Sequence, residues 1–134
     1  MLRWLLDTNL CIRVLRDRPA GLRERFNREA DALCISTIVL TELLYGAEKS
    51  ARPAENRRAV EQCAARLTLL PFDDAAAAHA ANIRATLERQ GLPIGGYDVL
   101  IAGHARSRGL VVVTGNLREF NRVEGLRSED WLGP

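Results

Sequence analysis

Hydrophobic and polar positions along the chain switch between two rhythms. Short apolar runs occur at Trp4 to Leu6, at 32–36 around Leu33 and Ile35, at 68–72 around Leu69 and Leu70, and at Leu110 to Val113. Between them, apolar residues recur every three to four positions, the spacing of one helical face. The first run leads into a helix from Thr8 to about Asp17, and after Pro19 a second helix carries Leu22 and Phe26 one turn apart. Ser36 or Thr37 caps the next helix, in which Ile38, Leu40, Leu43, Leu44 and Ala47 are too many for one narrow stripe. That density predicts a largely buried helix. Pro53 suits the opening of a helix that runs to about Arg66, because its missing N–H is not needed there. Asp73 or Asp74 caps an alanine-rich helix reaching about Gln90, and Gly91, Pro93, Gly95 and Gly96 then interrupt the pattern. A helix from Tyr97 to Arg108 ends at Gly109, and a short edge strand is expected near Leu126 to Ser128.

The run from Leu110 to Val113 is apolar without alternation, as a central parallel strand with both faces covered requires. Strands alternating with helices over connections of this length specify an α/β sandwich around a mainly parallel sheet, with residues 1–134 as a single domain. At 134 residues the chain is long enough to bury a substantial core.

Composition narrows the function classes. A net charge of +2 does not by itself identify a polyanionic partner, although arginines cluster at Arg13 to Arg28, Arg52 to Arg66 and Arg118 to Arg127. These clusters fit either solvated helix faces or a surface for phosphates. Cys11, Cys34 and Cys63 are odd in number and widely spaced, which excludes a disulfide framework or a zinc motif and indicates small buried side chains in a reducing compartment. No apolar run approaches the ~20 residues of a membrane span, so no membrane association and a cytoplasmic location are expected.

Three acids stand where strand or turn hands over to helix, or inside an apolar helix: Asp7, Glu42 and Asp98. Burying a carboxylate costs several kcal/mol unless it is paired or meets a metal, and three together repel one another until a cation neutralises them. In open parallel sheets, ligand sites lie beyond the carboxyl ends of strands. Asp7 occupies that position after the first strand, and Thr114 and Asn116 occupy it after Val113. Oxygen donors without Cys or His select a hard ion, Mg²⁺ or Mn²⁺. Such an ion suits phosphodiester hydrolysis, activating water and offsetting charge on the leaving oxygen.

Asp7-Thr8-Asn9, the segment 41–50 beginning Thr41-Glu42-Leu43, the segment 97–105 beginning Tyr97-Asp98-Val99, and 114–126 beginning Thr114-Gly115-Asn116 together resemble the PIN-domain ribonucleases. More narrowly, the chain is similar to VapC toxins of type II toxin–antitoxin modules, and within them to the group that cuts initiator tRNA in the anticodon stem-loop. The resemblance extends over almost the whole chain, including Glu129-Asp130-Trp131. It implies a PIN-like three-layer α/β/α sandwich and a Mg²⁺-dependent endoribonuclease acting on tRNA. It also implies a homodimer neutralised by a VapB antitoxin. By position, Asp7 and Asp98 match the principal metal ligands and Glu42 the acid that completes the triad. Asn9, Thr114, Asn116 and Glu119 are supports; Asn116 stands where many PIN domains carry Asp, and its amide adds no negative charge. Gly95-Gly96 departs from the Gly-Pro common before Asp98 in this group.

Simpler readings stand beside these. Asp7 would serve as a helix N-cap worth ~1 kcal/mol, Asp98 as a dipole partner in a first turn, and Glu42 as half of a salt bridge. His79 has only alanines around it in sequence. His104 is six residues beyond Asp98, on another helical face, so a histidine mechanism is disfavoured. Lys49 shares the face of Glu42 and would reach a phosphate or remain solvated. Ile12, Leu15, Leu44 and Tyr45 are assigned to the core in preference to a partner surface. The alternative function is a catalytically inactive PIN-type module that binds RNA or protein, but nothing in folding rewards three repelling carboxylates. A receiver-like or dehalogenase-like phosphatase lacks its further acid and lysine here.

Overall fold

The computed structural model describes residues 1–132; positions 133 and 134, the end of the expected domain, lie outside the described residues. The chain order is β1 (Trp4–Leu6), α1 (Thr8–Arg16), α2 (Leu22–Glu29), a short 3-10 turn (Ala30–Ala32), β2 (Leu33–Ser36), α3 (Thr37–Glu48), α4 (Pro53–Ala64) and β3 (Thr68–Leu70). It continues with α5 (Asp74–Arg89), α6 (Gly96–Ser107), β4 (Val111–Val113), α7 (Leu117–Phe120) and β5 (Ser128–Glu129).

The five strands form one sheet in the order β3-β2-β1-β4-β5, and every neighbouring pair is parallel. From β1 the chain moves outward through β2 to β3, then returns to place β4 on the other side of β1. Right-handed crossovers running in opposite directions put their helices on opposite faces, so the outward and return connections sandwich the sheet. β1 and β4 are buried along their whole length, which is why their sequences show no alternation. Leu5, Leu6, Ile35 and Val112 fill the sheet's interior, with Phe26, Ile101 and Phe120 packed among them from the helices.

Local chemistry sets the helix ends. The Asp7 carboxylate accepts from Leu10 N–H, the Ser36 hydroxyl from Ile38 N–H and the Asp73 carboxylate from Ala76 N–H, each satisfying a donor left open in a first turn. Pro53 opens α4. At the end of α1, Asp17 takes a left-handed conformation (φ 50°), and its N–H closes onto Arg13 and Val14 carbonyls. Arg23 donates to the carbonyls of Val14 and Leu15.

The structure corrects several details of the sequence reading. Instead of being largely buried, α3 buries one stripe, Val39, Leu43 and Ala47, while Ile38, Leu40 and Leu44 pack partly covered at the core margin. Tyr45, expected inside, is 63% exposed, with the Lys49 ammonium 4.9 Å above its ring. Ile12 and Leu15 are partly buried against the core. The edge strand lies at Ser128–Glu129, beyond the predicted start, because the preceding turn holds α7, a four-residue helix that buries Phe120.

α5 and α6 approach closely at Gly103 and Ala80. A Cβ added at Gly103 would lie 2.5 Å from the backbone nitrogen of Ala80 and 2.7 Å from its Cβ. Gly103→Ala must push the two helices apart, and overpacking of this kind costs about 1–3 kcal/mol. Urea denaturation is therefore expected to show a lower midpoint for Gly103→Ala with an unchanged slope. An unshifted midpoint would contradict the close approach.

Candidate active site

The order of the sheet reverses between β1 and β4, and the crevice beyond their carboxyl ends is where an open parallel sheet places a ligand. Leu6 is in register with Val113, so the next residues, Asp7 and Thr114, face each other across the crevice. Asp7 N–H donates to the Val113 carbonyl at 3.1 Å. The residue is 3% exposed. One oxygen, Oδ1, accepts from Leu10 N–H at 2.8 Å, and the other, Oδ2, from the Thr114 hydroxyl at 2.5 Å. The N-cap role of Asp7 is real but occupies only one oxygen. The second is committed to a residue 107 positions away.

The polar chain continues outward. Thr114 Oγ accepts from Asn116 N–H at 2.8 Å, and the Asn116 amide Nδ2 donates to Glu119 Oε2 at 2.8 Å and to Asp98 Oδ2 at 3.4 Å. Asp98 stands in the first turn of α6, half-buried. Glu42 projects from the half-buried flank of α3, where its Oε1 accepts from the Thr8 hydroxyl at 2.6 Å. Four elements thus deliver acids to one crevice.

Electrostatics show the cost. Burial raises the Asp7 pKa above 3.8, against the lowering effect of its hydrogen bonds, and Glu42 and Asp130 add to the rise. Asp98 is pushed up to about 7, first by burial, then by its hydrogen bond to Glu119 and by the charges of Glu119, Asp7 and Glu42. Glu119 moves the other way, held below 4.5 chiefly by that hydrogen bond to Asp98. The two behave as a pair sharing a proton. The ion pairs among the described residues join Arg28 to Glu29, Arg52 to Glu55, Arg57 to Glu48 and Glu61, and Arg84 to Glu88, all away from the crevice. The salt bridge considered for Glu42 is therefore not formed.

Among the described residues, no three His, Cys, Asp or Glu side chains converge tightly enough to cage an ion as they stand. The acids border an open crevice. Their chemistry nevertheless fits a hard divalent cation: the donors are oxygens alone, no ion pair among the described residues engages Asp7, Glu42 or Asp98, and an ion such as Mg²⁺ uses few protein ligands and keeps several waters.

Asn116 presents Nδ2 to the acid pair and acts as a donor. Asn9 is exposed beside the crevice. His104 is buried away from the acids, its Nδ1 2.8 Å from the Ser36 hydroxyl and its ring edge-on to Phe72, while His79 accepts from Arg106 Nε at 2.9 Å. Lys49 sits on Tyr45. Sequence reasoning missed Thr8, which holds Glu42; its only signal is a hydroxyl in the first turn after Asp7.

Residues 4–126 match the family described as PIN domain. Over 131 residues the chain is 54% identical to a protein of Shigella flexneri named tRNA(fMet)-specific endonuclease VapC, covering 98% of this chain and 99% of that one. A protein of Salmonella typhimurium with the same name is 55% identical over 131 residues, with the same coverage. The crystal structure of DNA-bound VapBC from Salmonella typhimurium contains a chain that superposes with a TM-score of 0.93 at 55% identity, covering 98% of this chain and 99% of that one.

The upward shifts of Asp7 and Asp98 fix the sign of a pH effect. Between 3.8 and about 7 the folded protein holds a proton on Asp98 that the unfolded chain has released, so stability falls as pH rises through that window. The lowered Glu119 acts in the opposite sense near and below 4.5, and so does His104, held below 6.5 by burial, up to that value and with a smaller shift than that of Asp98. In EDTA, the melting temperature is expected to fall between pH 5 and pH 8, to fall less in Asp98→Asn, and to recover at pH 8 when Mg²⁺ is added. Thermal denaturation monitored by circular dichroism checks this; a melting temperature rising over that range would refute the assignment.

Proposed function

This chain belongs to the PIN domain family, and on that premise we propose that it is the toxin of a VapBC-type toxin–antitoxin pair, an endoribonuclease that hydrolyses a phosphodiester bond in tRNA(fMet). A VapB-type antitoxin neutralises it, and it works as a homodimer in the cytoplasm. No described helix is long and apolar enough to cross a membrane. The observation that carries the reading is the gathering of Asp7, Glu42 and Asp98 at the switch point of the sheet with no cationic partner, in a chain so similar to two named tRNA endonucleases.

In this reading Asp7 and Asp98 hold Mg²⁺, with Mn²⁺ as a substitute, and Glu42 completes the catalytic set. When bound, the ion supplies charge that lowers the pKa of water and offsets negative charge on the scissile phosphate. The protein contributes orientation. Thr114 and Leu10 N–H fix the carboxylate plane of Asp7, so its direction is set before substrate arrives. Thr8 holds Glu42 through Oε1, leaving Oε2 to accept a hydrogen bond from the attacking water. Asp98, pushed up to about 7 by burial and by Glu119, would have to be in its deprotonated form to serve as a ligand. Asn116 keeps Glu119 oriented toward Asp98 and serves as a positioning residue.

Asp7→Asn preserves the shape and an acceptor for Leu10 N–H while removing the charge. Cleavage is expected to fall on the order of a thousandfold, about 4 kcal/mol in activation free energy, with folding retained. EDTA should abolish wild-type cleavage and Mg²⁺ or Mn²⁺ restore it. Sequencing of RNA 5′ ends after a short pulse of expression provides the test: new ends in the initiator tRNA anticodon stem-loop with wild type only. Identical profiles for wild type and Asp7→Asn, at equal expression, would instead support the non-catalytic module.

A further inference from the structure

A groove of about 530 Å³ adjoins the acid crevice at Asn116, and its lining includes Asn9, Ile12, Arg13, Arg16 and Arg18. Asn116 belongs to both, since its amide donates to Asp98 and Glu119. Asn9, Arg13 and Arg16 are spaced i, i+4, i+7 and so run along one face of α1, the helix whose first turn Asp7 caps. At 1.5 Å rise per residue, Arg16 stands about 10 Å further along the axis than Asn9. Arg18 reaches the same groove from beyond the left-handed turn at Asp17.

These arginines differ from most others in the chain by what they do not do. Arg57 and Arg84 are held by glutamates, Arg106 by His79 and Asn82, and Arg23 by the carbonyls that end α1. Among the described residues, no ion pair engages Arg13, Arg16 or Arg18. Attraction to the negative end of the α1 dipole accounts for the placement of Arg13 and Arg16. It does not account for their convergence with Arg18 on one groove.

We propose that this groove is a phosphate track, in which Arg13, Arg16 and Arg18 hold backbone phosphates of the RNA strand flanking the bond cut at the acids. The inference rests on the ribonuclease reading and extends it to how substrate is held. A crevice bordered by four carboxylates repels a polyanion, so an RNA strand needs cationic contacts next to the site and in line with it. Guanidinium groups supply them in a form that pairs with phosphate oxygens through two parallel N–H donors. Gly115 lines the groove too, and a Cβ there would lie 2.8 Å from Leu132 Cδ1, so the path beside Asn116 leaves little space for a larger side chain.

The test separates holding from cutting. In full-length protein carrying Asp7→Asn, binding of a fluorescently labelled initiator tRNA anticodon stem-loop is measured by anisotropy over a range of NaCl concentrations. For a single strand, each lost phosphate contact lowers the slope of log affinity against log salt by about 0.7. Adding R13Q, R16Q and R18Q together is expected to reduce the slope by about 2 and weaken binding at least tenfold at low salt, with the circular dichroism spectrum unchanged. The corresponding triple lysine variant should keep the slope. Unchanged affinity and slope in the glutamine variant would overturn the track, as would equal slope losses in the lysine and glutamine variants. Normal RNA binding with weakened antitoxin binding would also overturn it, assigning the groove to the antitoxin. A parent protein that binds no RNA would overturn the ribonuclease reading itself, a failure distinct from that of the groove.

Discussion

The Asp7 carboxylate, almost sealed from water, is the constraint around which the fold is arranged. A charge in that position is tolerable only with donors at both oxygens. One donor comes from the helix that Asp7 itself starts, and the other comes from Thr114, at the end of β4. Thr114 can be there only if β4 lies beside β1, and β4 lies beside β1 because the order of strand addition reverses at that seam. The seam therefore satisfies Asp7 and opens the crevice at once. The remaining upward pressure on Asp7 and Asp98 is what a cation would relieve.

Much of this was legible in the sequence, for identifiable reasons. Continuous apolar runs marked the central strands, side chains able to cap marked helix starts, and an acid directly after a strand marked the carboxyl edge of the sheet. What was misread depended on neighbours far away in sequence. The apolar crowding of α3 suggested full burial, but only the stripe facing the sheet is covered, and Tyr45 is left outside. The small helix α7 has no periodicity to detect in four residues. Asn116 was counted only as a support, and its donation to two carboxylates depends on acids that α6 and α7 bring beside it. Glu119, treated only as a support, pushes Asp98 up and is itself held down because α6 and α7 bring them together.

A second polar device ties the start of β1 to the edge strand. Glu129 on the edge strand β5 accepts from the indole N–H of both Trp4 and Trp131, and the two rings meet edge to face at 5.4 Å. Arg3 and Arg25 cover those rings as cations over π faces. The two-residue β5 would be a weak edge by itself. With both indoles tied to its carboxylate, the edge is short and covered, which protects a parallel sheet from pairing with another chain.

The bond from Thr114 to Asp7 spans 107 positions, and proteins are made from one end. At roughly 5–20 residues per second, about 5 to 20 seconds separate the synthesis of the two partners. Throughout that interval the first strand and its acid exist without the strand that completes their pocket. An interrupted or abandoned product lacking β4 has Asp7 but no Thr114, Asn116 or Asp98–Glu119 pair in place around it. The order of the strands therefore delays the acid crevice: it is complete only once nearly all of the chain has been made.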